Sequence, residues 1–496
     1  MKDRLLNVIL PVFSGILMGV SAAFEKLWWI SFLGIIPFIF VLAKSSQNYS
    51  LKQAFFKNAG FGFLYGITFF TICLSWLNIF GTFALLGAAL FQSFFIALFG
   101  ALSSYFFKNY WAGIFGLPCL WVACDLIRSL GVFGFTWYNI AHLQSYNLSL
   151  IQYSSIFGAR IIDFFIIMIG ISIVFKILDK NKFHQFFSVV IITIFCIIQF
   201  IGAGFIKNLG YADKIVNIIQ GSVSMENKGD LETIEIYKKL SLECETSDLI
   251  LWGETTLSYL DKTNDYKFNI LSDLAKKTNS NLIIGANTPS KTNNNNSKNT
   301  GVFISNQGDL LGEYSKMKLV PYGEFVPWRG KIPVLSHREV RDVDTEKGIN
   351  LNYIKVDNMK VGLSICYESA FPEYARNLSK KEANVLAIIT NDWWFGNTFA
   401  PKNHFMLARL RAVENKKWIL RCASSGISGV ISPYGHIITE TNLNERIVVK
   451  TNFGLNEEKT FYTKYGDFFS YICTFMAIFI ILCFKIIQKN VFFKEK

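Results

Sequence analysis

Apolar residues are spread unevenly along this chain. From Leu5 to Ile206 they fall in long runs broken by short polar gaps, Lys207 to Asp467 mixes short apolar stretches with polar ones, and a last apolar run fills Phe468 to Ile487. A helix of roughly 20 apolar residues is long enough to cross a bilayer. Eight stretches fit that pattern, at 6–23, 28–43, 61–77, 83–106, 111–127, 161–178, 186–206 and 468–484. The pattern predicts a polytopic α-helical membrane bundle of about eight spans, seven of them in residues 1–206. A domain of soluble character follows over 207–467, then a final span and tail over 468–496.

Within 207–467 the apolar runs are short and alternate with helical spacing. Strands are expected at 215–220, 249–252, 281–285, 361–365, 385–390 and 418–422, with helices near 231–242, 266–277, after Pro372 and near 404–415. That alternation is the mark of a layered α/β domain. Between the halves, Lys291–Thr300 is an Asn-rich polar run with nothing to bury, and it is expected to be an exposed loop.

Composition agrees with a membrane protein: 51% of the 496 residues are hydrophobic, 48 are Phe and 17% are charged. The formal charge of +13 comes without a Lys/Arg-rich block or a nucleic-acid-binding signature, so nucleic acid is not an expected partner. Topology explains the excess better. With a cytoplasmic N-terminus, the inside segments hold Lys2 and Arg4, then Lys44, Lys52 and Lys57, then Lys108, then Lys176, Lys180 and Lys182, and finally Lys485, Lys489, Lys494 and Lys496. The short loops opposite hold only Lys26, Arg128 and Arg160, an asymmetry of the kind the positive-inside rule requires. The α/β domain then lies outside the cytoplasm and both termini inside. Lys2 and Arg4 ahead of an apolar stretch ending in Ser21-Ala22-Ala23 also fit a cleaved signal peptide, which leaves the sidedness unchanged.

Nine cysteines without paired spacing give no disulfide framework. Cys73, Cys119, Cys124, Cys196 and Cys473 fall inside expected spans and Cys483 at the end of one, leaving Cys244, Cys366 and Cys422 in the domain. Cys366 directly follows the apolar strand Gly-Leu-Ser-Ile and precedes the helix after Pro372, so helix-end N–H groups are expected to favour its thiolate. Glu254, in LWGETTL, stands at the C-terminal end of an apolar strand, where open α/β sheets place their sites and where a carboxylate can serve as a base. Lys316, in YSKMKLVPYGEFVP, can set an ammonium against an oxyanion, with Glu324 as its candidate partner. Taken singly, each has a plainer reading: a buried structural Cys, a solvated loop Glu, a surface Lys.

Together, in this order and context, the three segments resemble the nitrilase superfamily, whose members use a Glu-Lys-Cys triad. The similarity is closer still to the apolipoprotein N-acyltransferase family of the Gram-negative inner membrane. LVPYGEFVP, ICYES, the NDWWFG run at Asn391–Gly396, ARLRAVE at Ala408–Glu414 and GFTWYNIAH at Gly134–His142 carry the resemblance, which extends over nearly the whole chain. It implies a nitrilase-like α-β-β-α sandwich with Cys366 as nucleophile, Glu254 as general base and Lys316 as oxyanion stabiliser. Glu324, Tyr367 and Glu368 match supporting positions. The implied partners are a phospholipid acyl donor in the bilayer and a diacylglyceryl-apolipoprotein acceptor, joined by a Cys thioester in ping-pong order. Two positions depart from the family pattern: Lys228-Gly229-Asp230 lacks the usual Trp, and Asp125 stands where Glu is more usual.

Trp393, Trp394 and Phe395 are candidates to line an acyl-chain entrance or sit at the membrane interface, with core packing as the alternative. Asp163, near the start of an expected span, is a costly place for a carboxylate unless it reaches water. His337, His404 and His436 are scattered without HExxH or CxxC spacing, so neither a metal nor another cofactor is expected.

Overall fold

The computed structural model describes residues 2–207, 212–223, 229–261, 266–290, 296–329 and 344–494. Lys228, His337 and the first half of the Asn-rich run therefore lie outside the described residues. The chain divides into two compact units, one of residues 1–206 with 465–496 and one of residues 207–464.

The first unit is helical. Among the described residues, six helices are long and apolar enough to cross a membrane: Leu5–Ala23, Ile30–Asn48, Thr82–Ser103, Arg160–Leu178, Lys182–Gly204 and Phe468–Ile486. The other two expected spans map differently. Residues 61–77 begin inside the helix Leu51–Cys73, whose first two turns carry Lys52, Gln53, Lys57 and Asn58. Residues 111–127 fall on a π turn, Ala112–Gly116, followed by the shorter helix Leu117–Arg128. One buried cluster of this unit is paired: Asp125 accepts from Arg128 at 2.7 Å and from Arg160 at 2.8 Å, and Arg160 also reaches Asp467 at 3.3 Å. Asp163 does not reach water. It is fully buried and accepts the Ala141 N–H at 2.7 Å.

The second unit holds two six-stranded sheets. The strands are β1 (Lys214–Gln220), β2 (Leu249–Trp252), β3 (Asn281–Pro289), β4 (Ser297–Ile304), β5 (Leu310–Ser315), β6 (Ile354–Val356), β7 (Met359–Ile365), β8 (Val385–Thr390), β9 (Ile419–Ala423), β10 (Gly429–Ile431), β11 (Ile437–Glu440) and β12 (Ile447–Phe453). Their orders are β12-β1-β2-β3-β4-β5 and β11-β10-β9-β8-β7-β6. In both, parallel neighbours (β1-β2-β3 and β7-β8-β9) form the centre and antiparallel strands the edges. Side chains alternate across a strand, so one strand feeds two layers. Val216, Ile218, Leu249, Leu251 and Ile283 of the first sheet meet Val361, Leu363, Ile365, Ala387 and Ile389 of the second in a shared core. Ile219, Ile250, Trp252 and Ile284 face the other way, onto Ile234 and Tyr237 of the helix Asp230–Leu242 and Leu271 and Leu274 of the helix Tyr266–Thr278. Helices Pro372–Lys380 and Ala400–Asn415 pack on β7 and β9 of the second sheet. The result is an α-β-β-α sandwich. Ser297–Thr300, expected in a loop, instead begin β4, because the ladder to β3 runs out to the pair Pro289↔Ser297.

Candidate active site

The three expected residues leave the ends of three strands drawn from both sheets. Glu254 comes two residues after β2, Lys316 directly after β5, and Cys366 directly after β7. Gly253 makes the close approach possible: a Cβ there would lie 2.2 Å from the Ser424 nitrogen, beyond the end of β9. The Glu254 N–H donates to the Thr390 carbonyl at 3.2 Å, tying the end of β2 to the end of β8. The Lys316 N–H donates to the Asn299 carbonyl at 2.8 Å, extending the β4–β5 ladder one step past Thr300↔Ser315 and setting Asn299 beside Lys316.

Lys316 is 1% exposed and lies between two carboxylates, its Nζ 3.1 Å from Glu254 Oε1 and 2.9 Å from Glu324 Oε1. The Asn299 amide donates to the same two oxygens, at 2.7 and 3.2 Å. The second oxygen of Glu254 accepts the Asn391 N–H at 2.9 Å, and that of Glu324 the Val320 N–H at 2.8 Å. Burial disfavours the Lys316 charge, but Glu254, Glu324 and the neighbouring Cys366 outweigh it and hold the amine well above its ordinary value. It is a fixed cation, unsuited to act as a base.

Cys366 is partly buried and has φ of +51°, in the left-handed region that non-glycine residues seldom occupy. Its thiol departs from the expectation of a helix-stabilised thiolate. Burial, then the charge of Glu254, push it above its ordinary value, while Lys316 pulls less strongly in the other direction. A short 3₁₀ turn, Cys366–Ala370, follows the thiol in place of a regular α-helix start. The resting thiol is protonated at neutral pH.

Glu368 is fully buried and binds four donors. Oε1 accepts from Tyr314 Oη (2.9 Å), Met317 N (2.6 Å) and Lys318 N (3.1 Å), and Oε2 from Ile365 N (2.7 Å). It staples the Lys316 segment to the strand that delivers Cys366. Burial raises its carboxyl from 4.5 to about 7 against the pull of those donors. Tyr367 packs edge-on against Phe371, with ring centroids 4.9 Å apart. The Trp-Trp-Phe run splits: Trp394 is 43% exposed with Trp393 against it, whereas Phe395 is buried on the His404 ring. Phe395 is a packing residue.

Sequence reasoning missed Asn299, hidden in an Asn-rich run, and a buried charged group behind Cys366. There Asp392 pairs with Arg421 and His404, each at 2.8 Å. In the sequence His404 reads as one of several scattered histidines. Its spacing from Asp392 and Arg421 gives no local motif.

A sandwich of two α/β layers with a Cys, a Lys and a Glu gathered at its strand ends, carried by a chain with membrane-length helices, places the protein among acyl-transferring membrane enzymes of carbon-nitrogen hydrolase fold. The Carbon-nitrogen hydrolase family model matches residues 215–457, and that of the Apolipoprotein N-acyltransferase N-terminal domain matches 14–172. Apolipoprotein N-acyltransferase of Rickettsia prowazekii (strain Madrid E) is 31% identical over 493 residues, covering 94% of this chain and 95% of its own. That of Geobacter metallireducens is 28% identical over 496 residues, covering 94% and 93%. Among solved structures, Saccharomyces cerevisiae Nit3, a member of branch 10 of the nitrilase superfamily, is 19% identical over 48% of this chain and 89% of its own, with a TM-score of 0.40. The chain belongs to the apolipoprotein N-acyltransferase family.

Proposed function

We propose that this protein moves a fatty acyl chain from a phospholipid, through a thioester on Cys366, to the α-amino group of the diacylglyceryl cysteine of an apolipoprotein. The observation that carries the reading is the buried Lys316 ammonium, shared by Glu254 and Glu324 in the electrostatic neighbourhood of the Cys366 thiol. A protonated thiol needs a base, and Glu254 is the carboxylate beside it. In the first half-reaction Glu254 takes the thiol proton as sulfur bonds to the ester carbonyl carbon. Lys316 faces the oxyanion, the ester C–O bond breaks, and the proton passes from Glu254 to the departing lysophospholipid. In the second, the cysteine amine attacks the thioester, Glu254 takes the amine proton, and collapse of the intermediate breaks the C–S bond and returns the proton to sulfur. A thioester acylates an amine far more readily than an oxygen ester does, which is the use of the covalent step.

Lipid as donor also gives the membrane helices a purpose, since drawing an acyl chain into water costs about 0.8 kcal/mol per CH₂. The Lys and Arg asymmetry supports a cytoplasmic N-terminus and C-terminus and an extracytoplasmic catalytic domain over 207–467, and membership of the apolipoprotein N-acyltransferase family supports residence in a Gram-negative inner membrane. Exposed Trp394, with Trp393, is the candidate contact for the acyl chain. The test is incubation of the full chain with phospholipid and a diacylglyceryl lipopeptide, reading N-acylation and an acyl adduct on Cys366 by mass. Full transfer by Cys366→Ala overturns the nucleophile, and hydrolysis of small amides without lipopeptide acylation overturns the substrate class.

A further inference from the structure

The buried charged group behind the nucleophile reaches the backbone of Cys366. Asp392, His404, Arg421 and Ser369 are each no more than 2% exposed. Arg421 Nη2 donates to Asp392 Oδ2 at 2.8 Å, and Asp392 Oδ1 also accepts the Thr390 hydroxyl at 2.9 Å. His404 Nδ1 lies 2.8 Å from Asp392 Oδ1. Arg421 Nη2 also lies 3.1 Å from Nδ1, so both charged partners flank that edge of the ring. Nε2, on the other edge, faces the Ser369 hydroxyl at 3.0 Å and the backbone carbonyl of Cys366 at 3.3 Å. Ser369 Oγ in turn donates to that carbonyl at 2.7 Å. A charged cluster sealed from water is a poor way to gain stability, because hydrophobic side chains of similar volume commonly serve as well. This one meets the Cys366 peptide group through both His404 and Ser369.

That peptide group matters because Cys366 occupies the left-handed region, a conformation that persists only where the surroundings over-determine it. Its carbonyl direction and the N–H of Tyr367 belong to one rigid plane, so gripping the carbonyl sets both. We propose that Arg421, Asp392, His404 and Ser369 form a positioning relay that holds the Cys366 carbonyl and so aims the thiol at the acyl donor. Arg421 and Asp392 fix the ring of His404, His404 fixes the Ser369 hydroxyl, and Ser369 fixes the turn. None of the four needs to touch substrate. The inference rests on Cys366 being the nucleophile.

The test uses the full chain in detergent micelles with a radiolabelled diacyl phosphatidylethanolamine, measuring single-turnover acylation, KM and the unfolding temperature. Ser369→Ala and His404→Gln are each expected to slow acylation at least tenfold with KM within twofold and unfolding within a few degrees. Ser369→Thr, which keeps the hydroxyl, restores most of the rate, and the double variant is no slower than the slower single one. Parental rates in Ser369→Ala, losses confined to KM or unfolding, or effects that multiply in the double variant overturn the relay. Should His404→Gln fail to fold, the Ser369 pair carries the test. A substrate-free measurement separates this from failure of the acyltransferase reading: iodoacetamide labelling of Cys366, followed by mass, should change at least threefold in Ser369→Ala and recover in Ser369→Thr. Unchanged labelling overturns the relay whatever the enzyme acylates.

Discussion

The Lys316 ammonium lies 3.1 Å from Glu254 Oε1, and both side chains are at least nine-tenths buried. Neither charge has water to fall back on. Removing one partner of such a pair leaves the other as an uncompensated buried charge, at a cost of about 3–5 kcal/mol. Lys316→Met, which strands Glu254 and Glu324 against each other, is therefore expected to lower the unfolding temperature as well as to abolish acyl-enzyme formation. Calorimetry in detergent alongside single-turnover acylation checks both, and an inactive variant of parental stability would contradict the electrostatic account.

Glu254→Gln should separate reactivity from catalysis. The Glu254 charge helps push the Cys366 thiol up, so neutralising it brings the thiol down and more thiolate is present at a given alkaline pH. Iodoacetamide labelling of Cys366, followed across pH 7 to about 10, should shift to lower pH in this variant. Acyl transfer should nonetheless fall by about 10²- to 10⁴-fold, because the base is gone. Labelling that shifts to higher pH would refute the sign.

Glu368 links stability to pH. Its folded carboxyl titrates at about 7 against an ordinary 4.5, so the folded state holds a proton that the unfolded chain has already released. Its contribution to stability is fully present below pH 4.5 and is lost as pH rises through about 7. Glu368→Gln cannot accept at both ends and leaves one buried N–H unmet, costing about 1–3 kcal/mol. The parental protein's advantage over this variant should shrink from pH 4.5 to 7 in thermal melts; an advantage that grows over that window would be inconsistent with the raised carboxyl.

Asn299→Leu removes the amide shared by Glu254 and Glu324 without adding charge. The expected effect is a fall in acylation rate of about 10²- to 10³-fold, on the scale of losing one preorganised hydrogen bond. Asn299→Asp should do worse, since it sets a third carboxylate against two. Equal activity in the two variants would show that charge at this position is immaterial.

The aromatic run offers a contrast between neighbours. Phe395→Ala opens a cavity under His404 and should cost about 3–5 kcal/mol of stability. Exposed Trp394→Ala should leave stability within about 0.5 kcal/mol and raise KM for phospholipid instead. Melting curves and lipid titrations distinguish the two.

Much of this arrangement was legible in the residues. The central parallel strands β2, β7 and β8 are buried on both faces and so read as unbroken apolar runs, which placed Glu254 and Cys366 at their ends. The edge strands were harder to see. β5 is largely exposed and β11 only partly covered, and β4 opens on polar Ser-Lys-Asn-Thr that composition alone assigns to a loop. Asn299 was lost with it. Trp393, Trp394 and Phe395 looked alike as a string, but a 3₁₀ turn of about three residues points them in different directions, so only the fold sorts them. The protonated thiol was hidden for a related reason: proximity to a helix start can be read locally, whereas Glu254 stands 112 residues earlier in the chain, and its charge acts only once the sheets have met.

That meeting of sheets governs more than geometry. Asn299 lies on, and Glu254 and Lys316 follow, strands of the first sheet, whereas Cys366, Asn391 and Asp392 follow strands of the second. A chain in which the two have not docked possesses a cysteine of unremarkable acidity with no base in reach. Competence is thus all-or-none with respect to docking, and the amount of acyl-enzyme formed on Cys366 counts correctly assembled molecules rather than averaging over damaged ones.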